Sequence, residues 1–152
     1  MSKFLTDAND LVFHTEKTVT KDGVPGPIES EEALAQLAIL PNPNHPEVKN
    51  PEKFVESPWA IVPPPTVDPW VWDNATLTIV TIKDLLATDP YMKRKKIKEH
   101  IETMGGATTP FRNFAMVIVI NDELIIMDGH HRLMAMWLLG METAPVWLVK
   151  EK

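Results

Sequence analysis

The sequence predicts a small α/β (α+β) domain, a mixed sheet with packed helices, behind a proline-rich N-terminal arm. Three observations predict it. Eleven of the fourteen prolines lie at or before Pro69, which forbids long helices and central strands there. From residue 75 onward, short β-branched runs alternate with segments whose apolar residues recur at helical spacing. The stretch 114–127 is almost wholly apolar, and it leads through Asp128-Gly129-His130-His131-Arg132 into an apolar segment of helical period closed by Gly140. The expected organisation is residues 1–74 as an N-terminal extension with a short strand, a helix and the Pro-rich arm, and residues 75–152 as the domain itself.

The elements follow in order. Leu11-Val12-Phe13 and Thr18-Val19-Thr20, with Lys21-Asp22-Gly23 as a turn, suggest a short strand or hairpin. Ser30 suits a helix N-cap, Glu31 and Glu32 suit its first turn, Leu34, Leu37 and Ala38 mark one face, and Pro41 stops it. Residues 41–69 read as an extended stretch with polyproline character, which Trp59, Trp70 and Trp72 are expected to pin to the domain. Residues 75–82 read as a strand and 83–87 as a helical turn. Residues 92–103 read as a helix, from Ile97, Ile101 and Met104 at i, i+4, i+7, ended by Gly105-Gly106. Residues 114–120 and 124–127 form a hairpin about Asn121-Asp122. A helix with Leu133, Met136 and Trp137 inward, then a last strand over 144–149 with Pro145 at an edge or strand start, complete the domain.

Composition narrows the function classes. With 44% apolar residues the chain can bury a real core, and no apolar run approaches the roughly 20 residues of a membrane span. The first ten residues lack the basic-then-apolar pattern of a signal peptide, and there is no cysteine; a cytoplasmic protein without disulfides or thiolate metal sites is expected. A formal net charge of −6 argues against a surface built for non-specific nucleic-acid binding.

The 128–132 turn carries the chemistry. A helix start presents unpaired N–H groups and the positive end of a dipole, and Arg132, His130 and His131 add donors to it. Gly129 permits positive φ and close approach of a ligand, Arg132 matches a phosphate with a fork of donors, and a histidine can move a proton. The competing reading is a structural turn in which Asp128 caps the helix. An adjacent His-His pair rarely ligates one ion, so no dedicated metal site is expected; Mg2+ carried by a nucleotide, with Asp128 nearby, is the metal this turn suits. Lys93-Arg94-Lys95-Lys96, with Lys98, is the only basic run, read either as a phosphate contact or as a solvated face balancing Glu99 and Glu102. Thr108 and Thr109, after Gly105-Gly106, suit a second wall of a phosphate site or a plain loop.

The order strand, helix ending in glycine, Thr109-Pro110 before an apolar strand, hairpin, then the 127–140 motif and a Pro145–Val149 strand resembles the ParB/sulfiredoxin superfamily over roughly residues 75–149. The resemblance implies nucleotide phosphates bound where Gly129, His130, His131 and Arg132 stand, and the Asp-Gly-His-His-Arg form is similar to members described as ParB-like nucleases and free-serine kinases. The chain departs from the family's patterns: the Pro-rich arm has no recognised counterpart, and the basic Asn-Pro-Arg-like element of partition proteins has no clear copy, its place being open to the run from Lys93. It has no cysteine for sulfiredoxin chemistry, and only three residues follow the last strand, so the DNA-binding and dimerisation domains of partition proteins are not expected.

The expected function is nucleotide binding (ATP, ADP or CTP with Mg2+) at this turn, coupled to hydrolysis or transfer of a phosphoryl group to water or a small alcohol. Asp128, His130 and His131 are the candidate catalytic residues. Gly129, His130, His131, Arg132, Thr108 and Thr109 are the candidate phosphate contacts, and Lys93, Arg94, Lys95 and Lys96 the candidate basic contacts. Two alternatives stand beside it: a DNA nuclease using the same turn, and a non-enzymatic phage or mobile-element adaptor holding a protein partner through the proline- and tryptophan-rich arm. A membrane is not an expected partner.

Overall fold

The structure, a computed structural model, describes residues 30–104 and 114–150. The expected hairpin near residues 11–23 and the loop bearing Thr108 and Thr109 lie outside the described residues. The fold is α+β, as expected. Helix α1 (Ser30–Ile39) carries Glu31 and Glu32 in its first turn, where the helix dipole favours them. Its buried positions are Ala33 and Leu37, with Leu34 partly covered, whereas Ala38 is exposed. The inward stripe is thus rotated from the expected one, because α1 docks on two later helices.

Strand β1 (Phe54–Glu56) pairs antiparallel with β4 (Tyr91–Lys93) in a two-stranded ribbon. The main sheet has five strands: β2 (Thr76–Thr81), β3 (Leu85–Leu86), β5 (Ala115–Ile120), β6 (Glu123–Asp128) and β7 (Thr143–Lys150), in the spatial order β2-β7-β5-β6-β3. Antiparallel pairs β2–β7 and β5–β6 alternate with parallel pairs β5–β7 and β3–β6, so the sheet is mixed. Helices α2 (Arg94–Met104) and α3 (His130–Leu138) pack together over one face of it.

Local chemistry explains most boundaries. Asn121 and Asp122 have φ of 52° and 63°, the two left-handed residues that a type I′ hairpin loop requires. Gly140, at φ 84°, ends α3: its N–H bonds the Trp137 carbonyl and the Met141 N–H bonds the Met136 carbonyl, a Schellman closure. The expected helical turn over 83–87 is a 3₁₀ turn at Ile82–Asp84 followed by β3, and α2 starts at Arg94 because the preceding three residues are held by β1. Pro145 is not on an edge. It is the third residue of β7, an interior strand, and it is tolerated at the margin of one ladder, since pairing with β5 begins at Val146.

The two sheet faces bury different partners. Val117, Val119, Leu124, Ile126, Ala144 and Val146 face the helices, joining Ile97, Ile101, Leu133 and Met136. Ala33, Leu37, Val55 and Trp59 belong to the same core, so packing continues across the expected boundary at residues 74 and 75. The opposite face, with Ile118, Ile125 and Val149, is covered by the arm through Val62, Val67, Val71 and Trp72. The arm also extends the short edge strand β3: Ile61 bridges Ala87 in parallel, and the Val62 and Ala87 N–H groups donate to Ala87 and Ala60 carbonyls at 2.9 Å.

Of the three tryptophans expected to anchor the arm, two do. Trp59 is buried and its indole N–H donates to the Ile82 carbonyl at 2.8 Å. Trp72 is half-buried against the sheet, but Trp70 is 67% exposed and joins neither core among the described residues. Trp137 also departs from expectation: α3, packed against the sheet, α1 and α2, buries Leu133, Met134, Ala135, Met136 and Leu138, and Trp137 falls on the remaining open strip, 39% exposed. No helix among the described residues is long and apolar enough to cross a membrane.

Candidate functional site

The site is built where β6 hands over to α3. Gly129 stands at the N-cap position with φ 96°, and a Cβ there would lie 2.7 Å from the Ala115 Cβ and 2.8 Å from its Cα. Only glycine fits both constraints. Asp128 is therefore not the helix cap that the structural reading of the turn would make it. Its Oδ1 accepts the Gly129 N–H at 2.9 Å and no side chain caps α3. That bond occupies the Gly129 N–H expected to hold a phosphate. The first intrahelical bond runs from Leu133 N–H to the Gly129 carbonyl at 3.0 Å, so the N–H groups left without an intrahelical acceptor are those of His130, His131 and Arg132.

The two histidines share a structural task. His130 is buried, and its Nε2 accepts the Thr88 N–H at 3.1 Å, while the Thr88 hydroxyl donates to the Ile126 carbonyl at 2.9 Å. His131 Nε2 accepts the Lys93 N–H at 3.0 Å. Each ring uses a lone pair to hold a backbone N–H of the segment just before α2, which requires the neutral form with the proton on Nδ1. Their acidities agree. Burial lowers the His130 pKa against the pull of Asp89 and Asp128. Burial, then Lys96, bring His131 down to about 4, with Asp89 opposing and His100 and His130 adding to the fall. Neither ring is placed as a free proton carrier.

The His131–Lys93 bond sets the starts of α2 and α3 side by side. Neither helix has an acidic residue in its first turn. Three cationic or potentially cationic groups gather there. Arg132 is half-buried and burial lowers its pKa, although a guanidinium remains charged. His100, one helical turn beyond Lys96, is lowered by burial, then by Arg132, with Glu99 opposing and Lys96 adding. Among the described residues neither Arg132 nor His100 has a hydrogen-bonded or ion-paired partner.

The rest of the basic run divides. All four lysines are exposed, and of them Lys96 lies near enough for its charge to lower the pKa of both His131 and His100. Arg94 is committed elsewhere: its guanidinium donates to the Leu37 and Leu40 carbonyls, each at 2.6 Å, and to Asn42 Oδ1 at 2.9 Å, clasping the C-terminus of α1. It is a structural residue rather than a contact for phosphate.

Reading the sequence missed His100, Asp89 and Thr88. His100 had a usable signal, the i, i+4 spacing from Lys96. Thr88 and Asp89 had none, since they come from an irregular segment that only the fold brings to the turn. No group of three or more His, Cys, Asp or Glu residues able to hold a metal occurs among the described residues.

No protein-family model, no curated protein and no solved structure matches the chain.

Proposed function

We propose that this protein binds the phosphate groups of a nucleotide between the first turns of α2 and α3 and transfers or hydrolyses a phosphoryl group there. One observation carries the reading: two helix N-termini lie side by side without an acidic residue in either first turn, and Lys96, His100 and Arg132 converge on them. Such an arrangement is unfavourable when empty and is relieved by an anion. The free N–H groups of His130, His131 and Arg132 with the Arg132 fork suit phosphate oxygens. The resemblance of the 128–132 turn to ParB/sulfiredoxin proteins supports the same placement.

The division of labour differs from the one expected from sequence. His130 and His131 hold the site's shape. His100 is neutral at pH 7, has no partner among the described residues, and suits the general base. In the step, an oxygen of water or a small alcohol bonds to the terminal phosphorus, the bridging P–O bond breaks toward the departing nucleotide, and the nucleophile's proton passes to His100. Arg132 and Lys96 balance the charge on the phosphoryl oxygens. Asp128 lines the other side of the strand end and takes no part. The arm's exposed Trp70 keeps a protein partner open as a second role of the chain.

Titration calorimetry with ATP, ADP, CTP and inorganic phosphate tests the reading. Arg132→Ala should weaken binding by about 1.5–3 kcal/mol, the scale of a charge-assisted hydrogen bond, with an unchanged melting curve. His100→Gln should retain binding and lose turnover. Charge reversal at Lys95 should leave binding within about tenfold. Unchanged affinity in Arg132→Ala would remove this site. Tight DNA binding with a steep salt dependence, through Lys93, Lys95 and Lys98, would favour the nuclease instead.

A further inference from the structure

A cavity lies at the end of β6, on the arm side of the sheet, and its chemistry is opposite to that of the proposed phosphate site. Strand alternation would send Asp128 to the helix side, the same side as Ile126. A bulge prevents this. Met116 pairs with Asp128 and Val117 with Ile126, so Met127 is left unpaired and Asp128 shares the face of Met116. It thereby joins a cleft of about 730 Å³ walled by Trp72, Phe114, Met116 and Trp147, with Asp73 at its margin. Phe114 and Trp147 meet edge to face, with centroids 6.2 Å apart and planes at 68°, and Trp147 remains 39% exposed.

The volume is that of a small-molecule site. Among the described residues the lining is three aromatic rings, a thioether and an alanine, with two carboxylates and no cation. Aromatic faces attract a cation through their quadrupole, and carboxylates attract it through charge, whereas a phosphate or a carboxylate ligand would be repelled. We propose that this cleft binds a small organic cation, with an alkylammonium group seated against Trp72, Phe114 and Trp147 and neutralised by Asp73 and Asp128. The site does not rest on the phosphate reading. Its described lining shares no residue with Lys96, His100 or Arg132.

Titration calorimetry on the full chain with choline, and with its neutral isostere 3,3-dimethylbutanol, tests the assignment. Choline should bind saturably and at least about tenfold more tightly than the isostere, the scale of a desolvated cation–π contact with charge assistance. Asp73→Asn, at an exposed position, should weaken choline binding several-fold and leave the isostere unaffected, and Trp147→Leu should weaken both. Arg132→Ala should change neither, which keeps failure of this site distinct from failure of the phosphate site. Equal affinity for choline and its isostere, or no saturable choline binding up to about 50 mM, would overturn the proposal. Because Trp147→Leu can disturb packing, Asp73→Asn with an unchanged melting curve is the deciding variant.

Discussion

The two faces of the sheet show how one fold uses two kinds of cover. On the helix face, α1, α2 and α3 bring long apolar side chains that are wholly buried, including Ile97, Ile101, Leu133 and Met136. On the arm face an irregular, proline-rich segment brings Val62, Val67, Val71 and Trp72, all only partly buried, against three buried sheet residues. A regular element packs densely and leaves little to solvent. An extended one reaches far but lies thin. The helix face should therefore set the stability of the molecule, and the arm face should modulate it.

Substitutions can break or sharpen that contrast. The largest effect is expected at Trp59, which leaves the arm to enter the helix-face core and also donates to the Ile82 carbonyl. Trp59→Ala should cost about 3–5 kcal/mol in chemical denaturation, as large aromatic truncations in cores do. Gly129→Ala should follow at about 3 kcal/mol, from a positive φ and from the close approach to Ala115. On the arm face Trp72→Ala should cost only about 1–2 kcal/mol, since its side chain is only partly buried. A cost at Trp72 equal to that at Trp59 would abolish the distinction between the faces.

The pH dependence probes the helix side alone. An unfolded histidine titrates near 6.5 and folded His131 near 4, so between these values the unfolded chain binds more protons. The contribution of the neutral ring is fully present above about pH 6.5 and is lost as pH falls toward 4, worth about 1–2 kcal/mol once its partial exposure is discounted. His130, also lowered, adds in the same direction. Melting temperatures between pH 7 and 4 should fall in the parent chain and fall less in His131→Gln. The smallest effect is expected at Trp70, where Trp70→Ala should change stability by less than about 0.5 kcal/mol.

The strands, hairpin turn and helix stops were legible because single residues dictate them: Asn121 and Asp122 for the loop, Gly140 for the end of α3, Ile97 and Ile101 for the face of α2. The placement of the turn between β6 and α3 was legible too. Which turn residues face a ligand was not. The tasks of His130 and His131 depend on Thr88 and Lys93, which lie 42 and 38 residues earlier in the chain and meet them only after β3 and β4 have docked. The direction of Asp128 depends on a bulge, and no residue type announces one. Trp70 and Trp72 differ by two positions and are indistinguishable by composition, but the 3₁₀ turn at Pro69–Asn74 sends one to solvent and the other onto the sheet.

Arg94 carries a consequence for the order in which the molecule assembles. A cation at the first position of α2, followed by two lysines and no acid in the first turn, opposes that helix's own dipole. The same guanidinium satisfies the carbonyl end of α1, more than fifty residues earlier in sequence. The residue is locally frustrated and globally satisfied. As an isolated peptide, α2 should thus be a poor helix at its start, and its first turn should become firm only once α1 has arrived. If phosphate binds as proposed, it would stabilise that same turn from the outside, and anions should then accelerate a late step of folding rather than the first collapse.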